Sequence, residues 1–228
     1  MISTMRARVA TALGAALVLG LSPFVLSQGA EGGMVSDTTS GSIVVVGDSI
    51  TARYDDTPGD PRQGWWSIVA RHFDVPVETY AQSGSGFLRR GTGCDGTIFA
   101  ERDKALTGSP SIVIIEGGRN DWAVCRDDRV ALATNAEIAE AVDDYLQLVA
   151  DALPSSTRVF VLGPPWGPAQ PLERLRVTRL VQASAEAHGF EFIDTTGALP
   201  PEHVIDGIHP NRAGSVAIAQ QVISALDN

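Results

Sequence analysis

Short apolar runs alternate with amphipathic segments along most of the chain. The run Ile-Val-Val-Val at 43–46 contains no polar residue and stops at Gly47, a pattern typical of a β-strand that is buried on both faces. Comparable runs predict four further strands, at 75–80, 111–115, 158–162 and 191–193. Helical patterns predict helices at 64–73, 97–106, 130–153, 172–188 and 212–226.

This alternation predicts an α/β fold. Five strands separated by helical segments indicate right-handed crossovers and a parallel sheet with helices on both faces, which is a three-layer α/β/α sandwich. In such sheets ligands bind beyond the carboxyl ends of the strands. Residues that carry chemistry are therefore expected in the loops that follow the strands.

The first 29 residues have the features of an export signal. Two arginines precede a long apolar stretch, which ends in small residues, as a signal peptidase requires. We expect residues 1–29 to be a signal peptide and the protein to be secreted; the alternative is an uncleaved membrane anchor that leaves the protein facing outside. Residues 30–42, rich in Gly, Ser and Thr, predict a flexible linker before a single domain at 43–228.

The charge of the chain excludes one class of partner. The 228 residues carry a formal net charge of −10, and Lys104 is the only lysine, so the basic surface that nucleic acid requires is not expected. Loss of residues 1–29, with two arginines and no acidic residue, would make the net charge −12, which opposes binding to anionic lipid. We expect a monomer with no nucleic-acid partner and no membrane partner beyond the N-terminal segment.

The two cysteines are too few for a disulfide scaffold or a four-cysteine zinc site. Export would place Cys94 and Cys125 in an oxidising compartment, where we expect them to form a disulfide. The alternative is two separate thiols. No histidine lies near either cysteine in the sequence, so no metal site is expected.

A serine follows the first predicted strand directly, in Gly-Asp-Ser-Ile at 47–50. At a strand-to-helix turn the hydroxyl of Ser49 would be exposed and its N–H would lie at a helix N-terminus, which suits a nucleophile and one oxyanion donor. Taken alone, the tripeptide is equally well explained as a helix cap.

Glycines and an amide follow the next two predicted strands. Gly84 and Gly86 come after the second strand and allow backbone N–H groups to approach a ligand closely. Asn120 comes after the third strand, in Gly-Arg-Asn-Asp at 118–121, where a neutral amide donates to an oxyanion without adding charge. Each segment alone is also explained as a turn or a cap.

A carboxylate and an imidazole precede the last predicted helix, in Asp-Gly-Ile-His at 206–209. A serine hydroxyl becomes an effective nucleophile when a base removes its proton. His209 suits that task, and a carboxylate such as Asp206 on the other ring nitrogen orients the base and stabilises its charged form. The spacing alone is equally consistent with a solvated loop pair.

In combination these motifs resemble the SGNH (GDSL-like) hydrolase family. The segment at 47–50 is similar to the family's first block, with Ile in place of the commoner Leu, and the segments at 118–121 and 206–209 look like its Gly-x-Asn-Asp and Asp-x-x-His blocks. The resemblance covers residues 43 to 226. It implies a flavodoxin-like fold with a five-stranded parallel sheet and chemistry that needs no metal or organic cofactor.

The resemblance also implies a catalytic triad and an oxyanion hole: Ser49 as nucleophile, His209 as base, Asp206 as its orienting carboxylate, and donors from Ser49, Gly84 and Asn120. The second block departs from the family, because Thr79 stands where an asparagine is usual. Matching the strand makes Gly84 the oxyanion glycine, whereas a shift of two residues would make it Gly86.

Other side chains near the predicted site have two explanations each. Trp166, in a stiff loop after the fourth strand, is either a platform for an acyl or sugar group or part of the packing. Arg119 either pairs with Glu116 or meets a substrate carboxylate. Rivals for the base and its carboxylate are His72, His188, His203 and Asp194.

The function expected from this pattern is that of an exported serine esterase. It would hydrolyse carboxylic esters of an acylated carbohydrate or lipid through an acyl-enzyme on Ser49, with His209 as base. One alternative is an acyltransferase, in which an alcohol rather than water releases the acyl group. The other is a non-catalytic carbohydrate- or lipid-binding module on the same scaffold.

Overall fold

A parallel sheet organises the chain, of which the computed structural model describes residues 41–52, 60–127, 129–167 and 172–228. The strands are β1 (Ile43–Gly47), β2 (Val77–Ala81), β3 (Ile112–Glu116), β4 (Ala123–Arg126), β5 (Arg129–Leu132), β6 (Arg158–Leu162) and β7 (Glu191–Ile193). The helices are α1 (Ser49–Ala52), α2 (Trp65–Phe73), α3 (Asn135–Ala152), α4 (Leu172–Ala187) and α5 (Arg212–Leu226). The predicted signal peptide and nearly all of the predicted linker lie outside the described residues.

The main sheet has the order β2-β1-β3-β6-β7, and every pairing in it is parallel. These are the five strands that the apolar runs predict, and the order is that of flavodoxin-like folds. Strand order reverses between β1 and β3, so the loops after these two strands diverge to opposite faces of the sheet and leave a crevice. Ser49 follows one of these strands and Asn120 the other.

Alternate residues of β1 point into two separate cores, which explains why the strand contains no polar residue. Val44 and Val46 pack on the face covered by α3 and α4. Ile43 and Val45 pack on the opposite face, which α2 and α5 cover. The predicted three-layer α/β/α sandwich is therefore confirmed. Within the part of the chain described, no helix is both long and apolar enough to cross a membrane.

Two of the predicted helices were wrong in part. In place of a helix at 97–106 there are two 3-10 turns, Phe99–Glu101 and Asp103–Leu106, separated by Arg102 with non-helical angles of φ −110° and ψ 50°. In place of a helix from residue 130, the chain first forms β5, which pairs with β4 in an antiparallel hairpin. The helix begins only after Thr134, whose side chain accepts a hydrogen bond from the Glu137 N–H in a capping box.

The second strand begins two residues later than predicted, at Val77. Its register pairs Val77 with Ile43, and the residue before it, Pro76, has no N–H to donate to the ladder. The carbonyl of Pro76 instead accepts the N–H of Ile43 at 2.9 Å. The strand therefore starts at the residue that follows the proline.

The predicted disulfide is present between Cys94 and Cys125, whose Cα atoms are 5.7 Å apart. Cys94 ends a short turn that is joined to the loop after β2, because the Thr92 N–H donates to the Ser83 carbonyl at 2.8 Å. Cys125 lies in β4, which follows Asn120. The bond therefore ties together the two segments that carry Gly84 and Asn120.

Candidate active site

Ser49 lies at the sharp turn where β1 becomes α1. The Asp48 carboxylate accepts a hydrogen bond from the Ile50 N–H at 2.7 Å, which closes the turn as a helix cap does. A Cβ on Gly47 would lie 2.4 Å from the Thr51 hydroxyl oxygen, so this turn accepts only glycine before Asp48. Among the described residues, none hydrogen-bonds to the hydroxyl or the N–H of Ser49.

A pair of buried carboxyl groups lies beneath this turn, and sequence reasoning missed it. The Glu116 Oε2 accepts from the Asp48 N–H at 3.3 Å and from the Thr51 hydroxyl at 3.0 Å. Burial raises the pKa of Asp48 to about 6. Burial and the Asp48 charge together raise the pKa of Glu116 well above its ordinary value of 4.5. Burial and the neighbouring Asp48 charge therefore favour the protonated form of Glu116. The signal in the sequence was an acidic residue ending an otherwise apolar strand.

The loop after β2 presents one open backbone N–H. Gly84 has a left-handed φ of +76°, and its N–H has no partner in the described part of the chain. The Gly86 N–H, by contrast, donates to the Arg89 carbonyl at 2.9 Å. A Cβ on Gly86 would also lie 2.3 Å from the Asp121 carboxylate. This geometry favours Gly84 over Gly86 as the donor.

Asn120 connects the two segments just described. Its Nδ2 donates to Asp48 Oδ2 at 3.0 Å and to the Ser85 carbonyl at 2.9 Å. The half-buried amide therefore bridges the Ser49 turn and the Gly84 loop. The next residue, Asp121, is fully buried and fixes that loop by accepting three backbone N–H groups, those of Phe87, Leu88 and Arg89.

Asp206 and His209 form the predicted pair. The ring Nδ1 of His209 lies 2.7 Å from Asp206 Oδ2, and Asp206 Oδ1 accepts the N–H groups of Ile208 and His209 at 3.1 and 2.8 Å. Partial burial acts to raise the pKa of Asp206, but these hydrogen bonds outweigh it and lower the pKa to about 2. A charged Asp206 holds the proton on Nδ1, which leaves the other ring nitrogen as an acceptor.

The packing of α2 against α5 places His209 near β1, although the chain before it leaves the sheet at the edge strand β7. Helix α5 packs beside α2 on one face of the sheet, and the two run in the same direction, with His72 and Asp227 3.9 Å apart at their carboxyl ends. The first turn of α2 is joined to α1, because the Trp66 ring N–H donates to the Thr51 carbonyl at 3.0 Å. Ser49 and His209 therefore lie at the same edge of the sheet, although no hydrogen bond joins them in this structure.

Comparison with known proteins assigns the family. Residues 45–217, more than half of the chain, match the GDSL-like lipase/acylhydrolase family. The chain belongs to this family. It is a carboxylic ester hydrolase, and the resemblance seen in its motifs is confirmed.

The GDSL-like hydrolase has a curated relative and several similar solved structures. It is 28% identical to the GDSL lipase Rv0518 of Mycobacterium tuberculosis over 191 residues, which are 79% of each chain. A family two carbohydrate esterase from Clostridium thermocellum in complex with cellohexaose has a TM-score of 0.64 at 21% identity, over 82% of this chain and 64% of that one. LAE5, an α/β hydrolase from the metagenome of Lake Arreo, has a TM-score of 0.62 at 22% identity, over 82% and 95%. At these identities the structural matches establish the fold.

Trp166 of the GDSL-like hydrolase belongs to the packing and is not an exposed platform. It is 2% exposed, and its ring N–H donates to the Thr178 hydroxyl at 3.2 Å. The Arg119 guanidinium lies 4.4 Å from the ring centroid and donates to the Pro165 carbonyl. Arg119 thus anchors the loop after β6, and no hydrogen bond joins it to Glu116, which acts on it only through its charge.

The rival histidines and the rival carboxylate have other partners. His188 hydrogen-bonds to Asp143 at 2.9 Å, on the face of the sheet that α3 and α4 cover. The ring Nδ1 of His203 lies 3.0 Å from the Ala198 carbonyl. Asp194 accepts the Thr196 N–H at 2.9 Å in a local turn. In the described residues, only His209 combines a carboxylate partner with a position at the carboxyl edge of the sheet.

Proposed function

We propose that this hydrolase is an exported serine esterase that cleaves carboxylic esters of acylated carbohydrates or lipids through an acyl-enzyme on Ser49. The observation that carries the proposal is the 2.7 Å hydrogen bond between Asp206 and His209. This bond occurs at the edge of the sheet that also presents the Ser49 turn. It gives His209 the tautomer that a general base requires.

Acylation follows from these positions. His209 moves within reach of Ser49 when substrate binds, since catalytic hydrogen bonds are often long in the free enzyme. It then takes the hydroxyl proton while the serine oxygen attacks the ester carbonyl. Collapse of the tetrahedral intermediate breaks the bond to the leaving alcohol, which receives the proton from His209. Water, deprotonated by His209, then attacks the acyl-enzyme. Collapse of this second intermediate breaks the bond to the Ser49 oxygen, which receives the proton back from His209 as the acid leaves.

The oxyanion of each tetrahedral intermediate needs donors that are already in place. The N–H groups of Ser49 and Gly84 suit this role because neither has a partner among the described residues. The Asn120 amide lies between them, and it shares one of its hydrogens with the oxyanion in place of the Ser85 carbonyl. Asp48 keeps the other hydrogen, which holds the amide in its orientation.

Two observations support the compartment and the substrate class. The Cys94–Cys125 disulfide is of a kind that persists in oxidising compartments, which supports export by the N-terminal segment. The curated relative is named a lipase, and one similar structure is a carbohydrate esterase in complex with cellohexaose. A panel of esters from acetyl to long acyl chains, run beside acetylated sugars, separates the two classes of substrate.

The decisive experiment replaces the nucleophile. Ser49→Ala should abolish hydrolysis of p-nitrophenyl esters and labelling by a fluorophosphonate probe, while circular dichroism shows an intact fold. Ser42→Ala, a serine just before β1, serves as the matched control and should keep both activities. Hydrolysis that survives in Ser49→Ala refutes the assignment. A wild-type protein that is neither active nor labelled indicates the binding module, and an ester product formed with an added sugar acceptor indicates the acyltransferase.

A further inference from the structure

Arg102 lies outside every motif that the sequence singled out, yet it reaches the centre of the site. It occupies the break between the two 3-10 turns and is half-buried. Its guanidinium lies 5.1 Å from the ring centroid of Phe99. Phe99 is fully buried and packs against Phe87 and Tyr145, with ring centroids 5.0 and 5.8 Å away. The guanidinium therefore rests on a rigid aromatic surface.

The guanidinium donates to four oxygen atoms that come from separate segments. Nη1 donates to the carbonyl of Gly47 at 2.8 Å and to that of Tyr80 at 3.1 Å, at the carboxyl ends of β1 and β2. Nη2 donates to the hydroxyl of Ser85, and Nε donates to the hydroxyl of Thr97 at 3.2 Å. One side chain thus joins two neighbouring strand ends to the loop that follows the second.

Two of these acceptors, in Gly47 and Ser85, belong to the segments that carry the proposed oxyanion donors. The Gly47 carbonyl lies two residues before Ser49, and Ser85 follows Gly84 directly. The Ser85 carbonyl also accepts a hydrogen bond from Asn120. The guanidinium therefore bonds to the Gly47 carbonyl near Ser49, and to Ser85, which adjoins Gly84 and accepts from Asn120. It bonds to none of the three proposed donors themselves.

The chemistry of the four bonds indicates a geometric role rather than an ion pair. Every acceptor is a neutral oxygen, and within the described residues no carboxylate lies at ion-pair distance from Arg102. Arginine presents five N–H donors in a rigid planar fork, whereas lysine presents one flexible ammonium group. Only arginine can hold these four oxygens at once.

We propose that Arg102 is a positioning residue that holds the oxyanion hole in its working shape. This role rests on the proposed function, because it matters only if Ser49, Gly84 and Asn120 bind an oxyanion. Arg102 does not touch the substrate. It sets the distance between the Ser49 turn and the Gly84 loop, and small misplacements of such donors slow a reaction without weakening substrate binding.

The test separates positioning from general stabilisation by a kinetic pattern. Arg102→Met keeps an unbranched apolar chain and removes all the donors. We expect kcat and kcat/KM for p-nitrophenyl acetate to fall together by about 10- to 100-fold, with KM within about twofold, because the lost interaction acts only in the transition state. Arg102→Lys keeps the charge without the fork and should recover only part of the loss.

Arg158 supplies a matched control at the other end of the sheet. Its guanidinium lies 4.8 Å from the Phe160 ring centroid and donates to the Leu226 carbonyl at 3.2 Å. Arg158→Met should therefore keep kcat within about twofold of the wild type. Equal losses of kcat in the two Met variants would overturn the proposal, and so would a normal kcat or a change confined to KM in Arg102→Met.

Two further arms keep the test decisive. If Arg102→Met does not fold, Arg102→Lys is compared with Arg158→Lys under the same criteria, with near-ultraviolet circular dichroism as the measure of folding. The wild type and Ser49→Ala are assayed in parallel. Wild-type hydrolysis that does not depend on Ser49 refutes the proposed function, whereas Ser49-dependent hydrolysis with an unaffected Arg102 variant refutes only the positioning role.

Discussion

The amide nitrogen of Asn120 lies 3.0 Å from a carboxylate oxygen of Asp48, so the end of β3 is tied directly to the turn that carries Ser49, the proposed nucleophile. The same nitrogen donates to the Ser85 carbonyl in the loop after β2. Three neighbouring strands of the parallel sheet are thus joined at their carboxyl ends by one neutral amide. The proposed role of this amide as an oxyanion donor requires one of these two hydrogens.

Replacing Asn120 by alanine tests the oxyanion hole. We expect Asn120→Ala to lower kcat for p-nitrophenyl esters by about 100- to 1000-fold, the usual effect of losing one such donor. Steady-state kinetics measures the loss. The control is Asn135→Ala at the start of α3, where the side chain accepts a hydrogen bond from Arg176, and it should keep full activity. A wild-type kcat in Asn120→Ala would remove this residue from the oxyanion hole.

Replacing Asp206 by asparagine tests the orientation of the base. The amide lacks the charge that fixes the His209 tautomer, so we expect kcat to fall by about 100- to 10,000-fold. Asp143→Asn is the matched control, because Asp143 bonds His188 at 2.9 Å on the opposite side of the sheet, and its activity should be unchanged. Comparable losses in both variants would contradict a specific role for Asp206.

The pH dependence of hydrolysis follows from the same pair. Because the pKa of Asp206 is lowered to about 2, its carboxylate stays charged throughout the range in which imidazoles gain a proton. The His209 base must be neutral to accept a proton, so kcat/KM should fall on acidification through that range. A profile of kcat/KM against pH checks this. A rate that stays constant well below pH 5 would argue against His209 as the base.

The buried Glu116 makes stability depend on pH in a defined direction. Its folded pKa is raised above the ordinary 4.5, so its stabilising effect is present below about 4.5 and is lost as the pH rises, when only the unfolded chain releases the proton. Glu116→Gln retains an oxygen for the Thr51 hydroxyl and removes the titration. The difference in urea midpoint between Glu116→Gln and the wild type should therefore increase from pH 5 to pH 8.

Glu137 provides the control for that measurement. The pKa of Glu137 is lowered to about 2, chiefly by hydrogen bonds from the Thr134 N–H and hydroxyl. A further hydrogen bond from Arg126 acts in the same direction. Its stabilising effect is therefore present above about 4.5 and is lost only as the pH falls toward 2. Between pH 5 and pH 8 the difference between Glu137→Gln and the wild type should stay constant. A constant difference for Glu116→Gln as well would show that Glu116 is ionised in the folded protein.

The disulfide should affect both stability and activity. Opening the loop between Cys94 and Cys125, which spans 31 residues of sequence, should lower the free energy of unfolding by about 3–4 kcal/mol in the chain-entropy description. Because the bond joins the Gly84 and Asn120 segments, kcat should fall as well. Thermal unfolding and kinetics with and without dithiothreitol measure both effects. The Cys94→Ala/Cys125→Ala variant should be insensitive to the reductant, and a reductant effect that persists in it would assign the loss to another cause.

The sequence determined the fold class because the central strands of the sheet, such as β1 and β3, are buried on both faces. An apolar run such as Ile-Val-Ile-Ile at 112–115 has few alternatives. The predicted alternation of strands and helices was sufficient for the fold class, although the segment between β2 and β3 forms 3-10 turns and no α-helix. The motif residues were predictable for a related reason. Ser49, Gly84 and Asn120 follow the ends of strands, and the carboxyl ends of parallel strands share one edge. Asp206 and His209 instead precede the last helix, α5.

Only the tertiary structure decided what surrounds those residues. Glu116 and Asp48 are 68 positions apart, and Arg102 lies 55 positions from the carbonyl of Gly47 that it binds. No local pattern encodes such contacts, because they arise when β1, β2 and β3 pair in register and their following loops fold over one another. The same is true of the choice between Gly84 and Gly86, which depends on a carbonyl and a buried carboxylate that come from other turns of the chain. The sequence therefore specified which groups are available for chemistry, and the packing of the strand ends specified how those groups are held and charged.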